Sequence, residues 1–180
     1  PERSSFGPRN NAAGPQRQAQ KTPEVLKDLL KMKIYVDADA LPRVLKEVLF
    51  KAAERKKVEC ILVAARKPIV PQSLFLKGIA AGSSFNGADD WIAENIEAGD
   101  LAITADIPLA DRVITKGAEA FSPHGNVFTP ANIKNAMAMR TLMDELRTIG
   151  EISGGPAPFS PKDKEKFTNA LNRYLQAGQR

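Results

Sequence analysis

The sequence predicts an α/β fold: a three-layer sandwich with a mostly parallel sheet, followed by C-terminal helices. Short apolar runs alternate with segments in which apolar residues recur at helical spacing, a pattern typical of strand–helix–strand units. The runs are apolar throughout rather than at every second residue, which indicates strands covered by helices on both faces. After residue 130 only helical patterns remain.

The elements follow in order along the chain. A strand is predicted at 34–36, and a helix at 42–55 repeats apolar residues at helical spacing. Residues 71–84 fit helix, strand or both. The remaining elements of the sandwich are a strand at 60–65, a helix at 91–97, a strand at 101–104, a helix at 109–116 and a last strand at 118–121.

Two helices end the predicted domain. The first spans 130–147 and carries a broad apolar face, and Gly150 follows it as the residue that stops the helix. That face consists of Ile133, Met137, Leu142, Met143 and Leu146. A turn at 153–156 separates it from a basic amphipathic helix that opens at Ser160 and lines up Phe167, Leu171 and Leu175.

The N-terminal segment has a different composition. Residues 1–20 are rich in Pro, Gly, Asn, Gln and Arg and nearly lack aliphatic side chains, so disorder is expected. Thr22 and Pro23 resemble a helix cap and first turn, which predicts a short helix at 22–31. We expect 1–31 to be an extension and 32–180 to form a single domain.

Composition excludes several classes of site. The 180 residues include one Cys and one His, which rules out an internal disulfide and the usual tetrahedral zinc set. A bound metal ion would therefore need oxygen ligands. No apolar run approaches the roughly 20 residues of a membrane helix, and no secretory signal opens the chain, so a cytoplasmic protein is expected.

The net charge of +5 lies at the two ends. Residues 1–31 and 160–180 each carry a net charge of +3, whereas the residues between them carry −1. Basic ends can give non-specific affinity for phosphate backbones, or they can serve solubility alone. Charge by itself leaves both interpretations open.

Acidic residues follow the predicted strands, where parallel sheets collect functional groups. Asp37 and Asp39 follow the first strand, Asp106 follows the strand at 101–104, and Asp89 and Asp90 open a helix. Carboxylates gathered at one edge repel one another, and a hard cation such as Mg²⁺ or Mn²⁺ relieves that repulsion. Capping is the competing interpretation, since Asp39, Asp106, Asp89 and Asp90 all stand near helix starts. Capping one helix needs only one acid, so it does not account for Asp37 in addition to Asp39.

Other candidates are weaker. Cys60 is expected to be a small core residue, and His124 is expected to face solvent in a turn. The basic run 55–57 suits the negative end of a helix.

Four long segments resemble the YaiI/YqxD family of bacterial proteins. The resemblance runs from about Met32 to near the C-terminus and rests on VDADALPRVLKEVLFKAAERKKV, GADDWIAENIEAGDLAITADIPLADRVITKGA, FTPANIKNAMAMRTLMDELR and SGGPAPFSPKDKEKF. It implies a PIN-like fold, in which clustered acids bind Mg²⁺ or Mn²⁺ for phosphodiester hydrolysis, often of RNA. By this resemblance the first acidic motif is Asp37 and Asp39, the second is Asp89, and the third is Thr104 and Asp106. Asp111 matches no motif position.

The chain departs from the family pattern at four positions. The family usually has a cysteine at Leu41, an asparagine at Ala65 and an aspartate at Asn86, and often an arginine at His124. Losing polar groups around the acids would weaken metal binding. The acids themselves are retained.

Three functions follow as hypotheses. In the first, Asp37, Asp39, Asp89 and Asp106 hold Mg²⁺ or Mn²⁺, and Thr104 orients a carboxylate or water for cleavage of RNA. Asp37, Asp39, Asp106 and Thr104 are then the catalytic residues. RNA would be guided by Lys46, Arg55 or Arg66, with help from the basic terminal helix.

The second hypothesis is a haloacid-dehalogenase-type phosphatase with Asp37 as nucleophile, Asp39 as general acid/base and Thr104 on phosphate. Chain order argues against it, because the Asp89–Asp90 pair precedes that threonine. The third hypothesis is a PIN-like binding module for nucleic acid without catalysis, in which the acids are structural caps.

Overall fold

The computed structural model describes residues 32–39, 41–154 and 157–178. The disorder predicted for the first 20 residues and the helix predicted at 22–31 lie outside the described residues. The strands are β1 (Lys33–Asp37), β2 (Glu59–Ala64), β3 (Leu76–Ala80), β4 (Leu101–Ile103), β5 (Glu119–Phe121) and β6 (Val127–Phe128). The helices are α1 (Arg43–Lys56), α2 (Gly87–Asn95), α3 (Ile107–Thr115), α4 (Ile133–Thr148) and α5 (Pro161–Ala177).

The strands form one sheet in the order β3-β2-β1-β4-β5-β6. All neighbours pair in parallel except β6, which runs antiparallel to β5. The chain fills one side of β1 with β2 and β3 and then returns to its other side with β4. The predicted α/β sandwich with a mostly parallel sheet is confirmed, whereas its PIN-like assignment stays a prediction.

Helices cover both faces of the sheet, so alternate residues of each central strand enter different cores. One core joins Ile34 and Val36 to α1 and α5, and the other joins Tyr35 to α2 and α3. This arrangement explains why the strands read as continuous apolar runs. Cys60 is fully buried in the first core, as predicted.

The ambiguous segment resolves into a strand. Residues 71–75 are irregular, and β3 begins at Leu76, which is buried against β2. Gly78 permits a close approach at this edge, because a Cβ there would lie 2.5 Å from the carbonyl oxygen of Pro68. The strand predicted at 118–121 is confirmed as β5, but it is not the last strand, because the two-residue β6 follows it and is too short to give a pattern.

The two C-terminal helices are confirmed, but they are buried to different extents. In α5 the Ser160 hydroxyl accepts from the Asp163 backbone N–H, and the Asp163 carboxylate accepts in return from the Ser160 backbone N–H. Phe167, Leu171 and Leu175 are buried as predicted. In α4 only Ile133 is buried, and much of the predicted apolar face lies on the surface. None of the helices described is long and apolar enough to cross a membrane.

Asp100 fixes the turn before β4. Its side chain is 2% exposed and accepts hydrogen bonds from the backbone N–H groups of Lys33 at 2.8 Å and Glu97 at 2.9 Å. The Tyr174 hydroxyl donates to the Gly99 carbonyl at 2.9 Å, which attaches α5 to the same turn. These bonds hold β1, β4 and α5 in register at the amino edge of the sheet.

We predict that Asp100→Ala lowers the free energy of unfolding by about 2 to 4 kcal/mol, because two part-buried N–H groups lose their acceptor. Urea unfolding measures the loss. Asp111→Ala is the control: it breaks only a surface contact with Lys134, so its loss should stay below about 1 kcal/mol. Equal losses in the two variants would contradict the role assigned to Asp100.

Candidate acidic site at the carboxyl edge of the sheet

The topology brings the predicted acids to one place. β1 lies between β2 and β4, with Val36 opposite Ile103 and Asp37 opposite Val63. The strand order reverses beside β1, and in parallel sheets the crevice beyond such a reversal is the usual ligand site. Asp37 ends β1 and Thr104 follows β4, so both stand at this crevice.

Thr104 connects the first and third acidic motifs. It is 1% exposed, and its hydroxyl donates to the Asp37 carboxylate at 3.4 Å. The same hydroxyl accepts the backbone N–H of Asp106 at 3.0 Å. A hydroxyl has one proton and two lone pairs, so it can serve both neighbours at once. Thr104 therefore fixes the position of Asp37 relative to the start of α3.

Asp106 caps a helix, as the capping interpretation predicted. Its Oδ1 accepts the Leu109 backbone N–H at 2.8 Å at the start of α3. Its Oδ2 lies 3.3 Å from Nη1 of Arg140, which reaches across from α4. Both carboxylate oxygens thus have a partner among the described residues.

Asp39 does not cap a helix. Pro42 stands at the start of α1 and no side chain caps that end. The Asp39 side chain is exposed and its Oδ2 accepts the backbone N–H of Ala65 at 3.2 Å, which joins the loop after β1 to the end of β2. The capping interpretation was therefore wrong for Asp39.

Asp89 lies in the first turn of α2, and its carboxyl is half-buried. Burial, and after it the negative charges of Asp106 and Asp37, raises the pKa of Asp89 to about 6. Its neighbour Asp90 faces away and pairs with Arg112 at 2.8 Å on the surface. The pKa of Asp89 thus records that the three acidic motifs share one electrostatic environment.

A cavity of about 190 Å³ joins three of the carboxylates. Asp37, Asp39 and Asp89 line it, together with Asn86 and a fully exposed Phe85 at its rim. Asp106 does not line it, because its side chain turns to α3 and Arg140.

The donor chemistry of this cavity fits a hard divalent ion, because it offers several carboxylate oxygens and an amide. The side chains are not gathered into a ligand shell: within the described part of the chain, no group of three or more His, Cys, Asp or Glu side chains could hold a metal ion as placed. Asp37, Asp39 and Asp89 would have to turn inward together to do so.

Several residues of this edge had no sequence signal. Arg140 reads as one charge on an amphipathic helix, and only the packing of α4 on α3 brings it to Asp106. His124 lies in a turn as predicted, but its side chain is 36% exposed and its Nδ1 lies 3.4 Å from the Asp163 carboxylate. Neither partner is near in sequence.

The basic residues predicted to guide RNA divide between the two edges. Arg66 is exposed and follows Ala65, which lines the cavity. Lys46 is in the first turn of α1, also at the carboxyl edge. Arg55 is at the other end of α1, where it donates to Asn172, away from the acidic cavity.

Comparisons with known proteins give a consistent result. A family model described as the uncharacterised YaiI/YqxD family matches residues 35–177. A UPF0178 protein of Maridesulfovibrio salexigens is 51% identical over 144 residues, which is 80% of this chain and 95% of that protein. A UPF0178 protein of Saccharophagus degradans is 47% identical over 147 residues, 82% of this chain and 97% of that protein. No solved structure matches the chain.

We predict that Asp89 makes stability fall as pH rises. The Asp89 carboxyl keeps its proton up to about pH 6 in the folded chain, but it releases that proton near pH 4 in the unfolded chain. The contribution of protonated Asp89 to the free energy of unfolding is therefore fully present below about pH 4 and is lost between about pH 4 and 6. Asp89→Asn, which imitates the protonated form, should match the wild type at about pH 4 and melt at a higher temperature above about pH 6.

Calorimetric melting in a chelating buffer tests this prediction. Glu94→Gln is the control, because it removes an exposed carboxylate from the same helix and should shift melting equally at both pH values. A gain from Asp89→Asn that did not depend on pH would show that the acidic environment does not act on Asp89.

Proposed function

The chain belongs to the uncharacterised YaiI/YqxD family, and we propose that it is a divalent-metal-dependent phosphodiesterase that acts on RNA. One observation carries the proposal. Three carboxylates, Asp37, Asp39 and Asp89, line a single cavity at the reversal of strand order, and the pKa of Asp89 is raised by burial and by its acidic neighbours. Carboxylates that share a cavity and raise the pKa of one of their number are typical of sites that bind a cation.

The chain's own residues have distinct roles in this proposal. Asp37, Asp39 and Asp89 would hold Mg²⁺ or Mn²⁺, and a divalent ion so held activates water and offsets charge on a phosphoryl oxygen. Thr104 orients Asp37 by donating to it. Asp106 positions Thr104 through its backbone N–H and anchors α3 through its side chain. Asp106 is therefore a positioning residue. To bind the ion as a further ligand, its carboxylate would have to give up its contact with Arg140.

The surroundings of the cavity favour a polynucleotide substrate. Phe85 is fully exposed at the rim, where a base could stack on its ring. Arg66 and Lys46 place positive charge at the same edge, and the first turns of α5 add Lys162 and Lys164. An aromatic platform beside scattered cations is the usual arrangement for single-stranded nucleic acid.

A non-catalytic nucleic-acid-binding module is the second candidate function. The observation that favours it is Asp106, whose oxygens accept from the Leu109 backbone and pair with Arg140. In that case the acids stabilise the edge of the sheet, and binding rests on the basic and aromatic rim alone. Such a module would bind RNA with a steep dependence on salt and would bind no divalent ion.

We predict that the wild-type protein cleaves unstructured RNA in Mn²⁺ and not in EDTA, and that Asp37→Asn lowers the rate at least about 100-fold because a ligand is lost. The measurement is cleavage of a 5′-labelled oligonucleotide with purified full-length chain. Asp111→Asn is the matched control, since Asp111 is a carboxylate on α3 that does not line the cavity, and its rate should stay within about twofold of wild type.

Calorimetry separates the two candidate functions. Titration of Mn²⁺ into the wild type should give a saturable heat change and raise the melting temperature, and Asp37→Asn should abolish both effects. RNA binding without any response to Mn²⁺ would overturn the phosphodiesterase and favour the module.

We also predict that Phe85→Ala raises KM for RNA about fivefold or more and leaves kcat near the wild-type value, because stacking holds substrate without entering the reaction. Leu74→Ala is the control. Leu74 is 89% exposed but precedes β3 at the amino edge, so its loss should change neither constant. A fall in kcat alone would contradict a stacking role for Phe85.

A further inference from the structure

A second cavity, the α4 groove, lies beside the acidic site. Its volume is about 630 Å³, within the range of small-molecule binding sites. One wall is a single face of α4 that presents Ala136, Met139, Arg140, Met143 and Arg147. The other wall is formed by the end of β5, the turn at 122–126 and β6.

The groove begins at the acidic site. Ala105 and Ile107, on either side of Asp106, both line it. Arg140 also lines it while its Nη1 lies 3.3 Å from the Asp106 carboxylate. Asp106 thus stands between the α4 groove and Thr104, whose hydroxyl donates to Asp37 of the acidic cavity.

Two methionines of the groove are exposed, whereas two other apolar side chains of the groove, Ile107 and Phe128, pack against the core. Met139 is 53% exposed and Met143 is 37% exposed, and Phe128 and Ile107 complete an apolar floor. Methionine is flexible and polarisable, so it can pack on the flat face of an aromatic ring.

Two arginines give the groove its charge. Nη1 of Arg147 lies 2.9 Å from Asp144, and Nε of Arg140 lies 3.7 Å from the same side chain. Asp144 does not line the groove, so the two guanidinium groups are oriented from outside it. Guanidinium groups bind phosphate and also stack on bases.

The opposite wall is held rigidly. The His124 imidazole faces the groove and is paired through Nδ1 with Asp163 of α5 at 3.4 Å. Gly125 has a φ of +77°, and a Cβ there would lie 2.6 Å from the backbone of Lys166, so only glycine allows this turn to rest on α5. The groove is thus preformed on both sides.

We propose that the α4 groove binds the nucleotide next to the phosphate that reacts at the acidic cavity, with its base on Met139, Met143 and Phe128 and its phosphate on Arg140 and Arg147. This inference rests on the proposed function, because it takes RNA as the substrate. The lining of the groove favours a nucleotide over an apolar peptide, because a nucleotide can contact the guanidinium groups and the apolar floor together.

Binding measured without metal tests the groove separately from catalysis. Fluorescence anisotropy of a labelled single-stranded RNA hexamer in EDTA gives the affinity of the full chain. Met143→Glu puts a negative charge in the groove and should weaken binding at least about tenfold. Leu142→Glu is the matched control, because Leu142 is 47% exposed on α4 and does not line the groove, so its affinity should stay within about twofold of wild type.

The outcomes separate the two proposals. Loss of RNA affinity in Met143→Glu but not in Leu142→Glu supports the nucleotide subsite. It does so even if the protein does not cleave RNA in Mn²⁺, because absence of cleavage would overturn only the phosphodiesterase. Cleavage in Mn²⁺ with equal KM for both variants would overturn the subsite and leave the phosphodiesterase intact. A dimer that Met143→Glu dissociates in sedimentation, with RNA affinity unchanged, would make the groove a contact between copies and also overturn the subsite.

Discussion

Parallel pairing of β1 with both β2 and β4 is the constraint on which the acidic edge depends. Residues far apart in sequence end their strands at the same height, so Asp37 and Thr104 become neighbours although 67 positions separate them. The same pairing buries both faces of the central strands and so requires helices on each side. Helix α2 follows from that requirement and brings Asp89 to the edge. Fold and candidate site thus have one physical origin.

Structural and chemical roles are combined in the same side chains at this edge. Asp106 stabilises α3 with one oxygen and meets Arg140 with the other, while its backbone orders Thr104. Arg140 in turn belongs to the α4 groove. A cap and a candidate site are therefore not alternatives here, because the cap fixes the geometry that a site would need. Arg140 is the physical link between Asp106 and the groove.

The strands, helices and acidic residues of this arrangement could be predicted from the sequence, whereas the contacts between distant side chains could not. The apolar runs predict four strands and their helical connections, because burial on two faces leaves a continuous pattern. Asp37, Asp39 and Asp106 could be singled out because they follow predicted strands, and Asp89 because it opens a predicted helix. The pairing of Arg140 with Asp106, and of His124 with Asp163, depends on how α4 and α5 pack, which no periodicity records. The exposure of Met139 and Met143 had the same cause, since an apolar helical face reads alike whether or not anything covers it.

The late position of α5 has a consequence for biosynthesis. This helix seals one face of the sheet with Phe167, Leu171, Tyr174 and Leu175, and it also supports the turn that carries His124. During translation the sheet strands leave the ribosome well before residues 161–177 do, so the part of the first core that α5 covers stays exposed in the meantime. The nascent chain is then most exposed to chaperones and to aggregation just before α5 emerges.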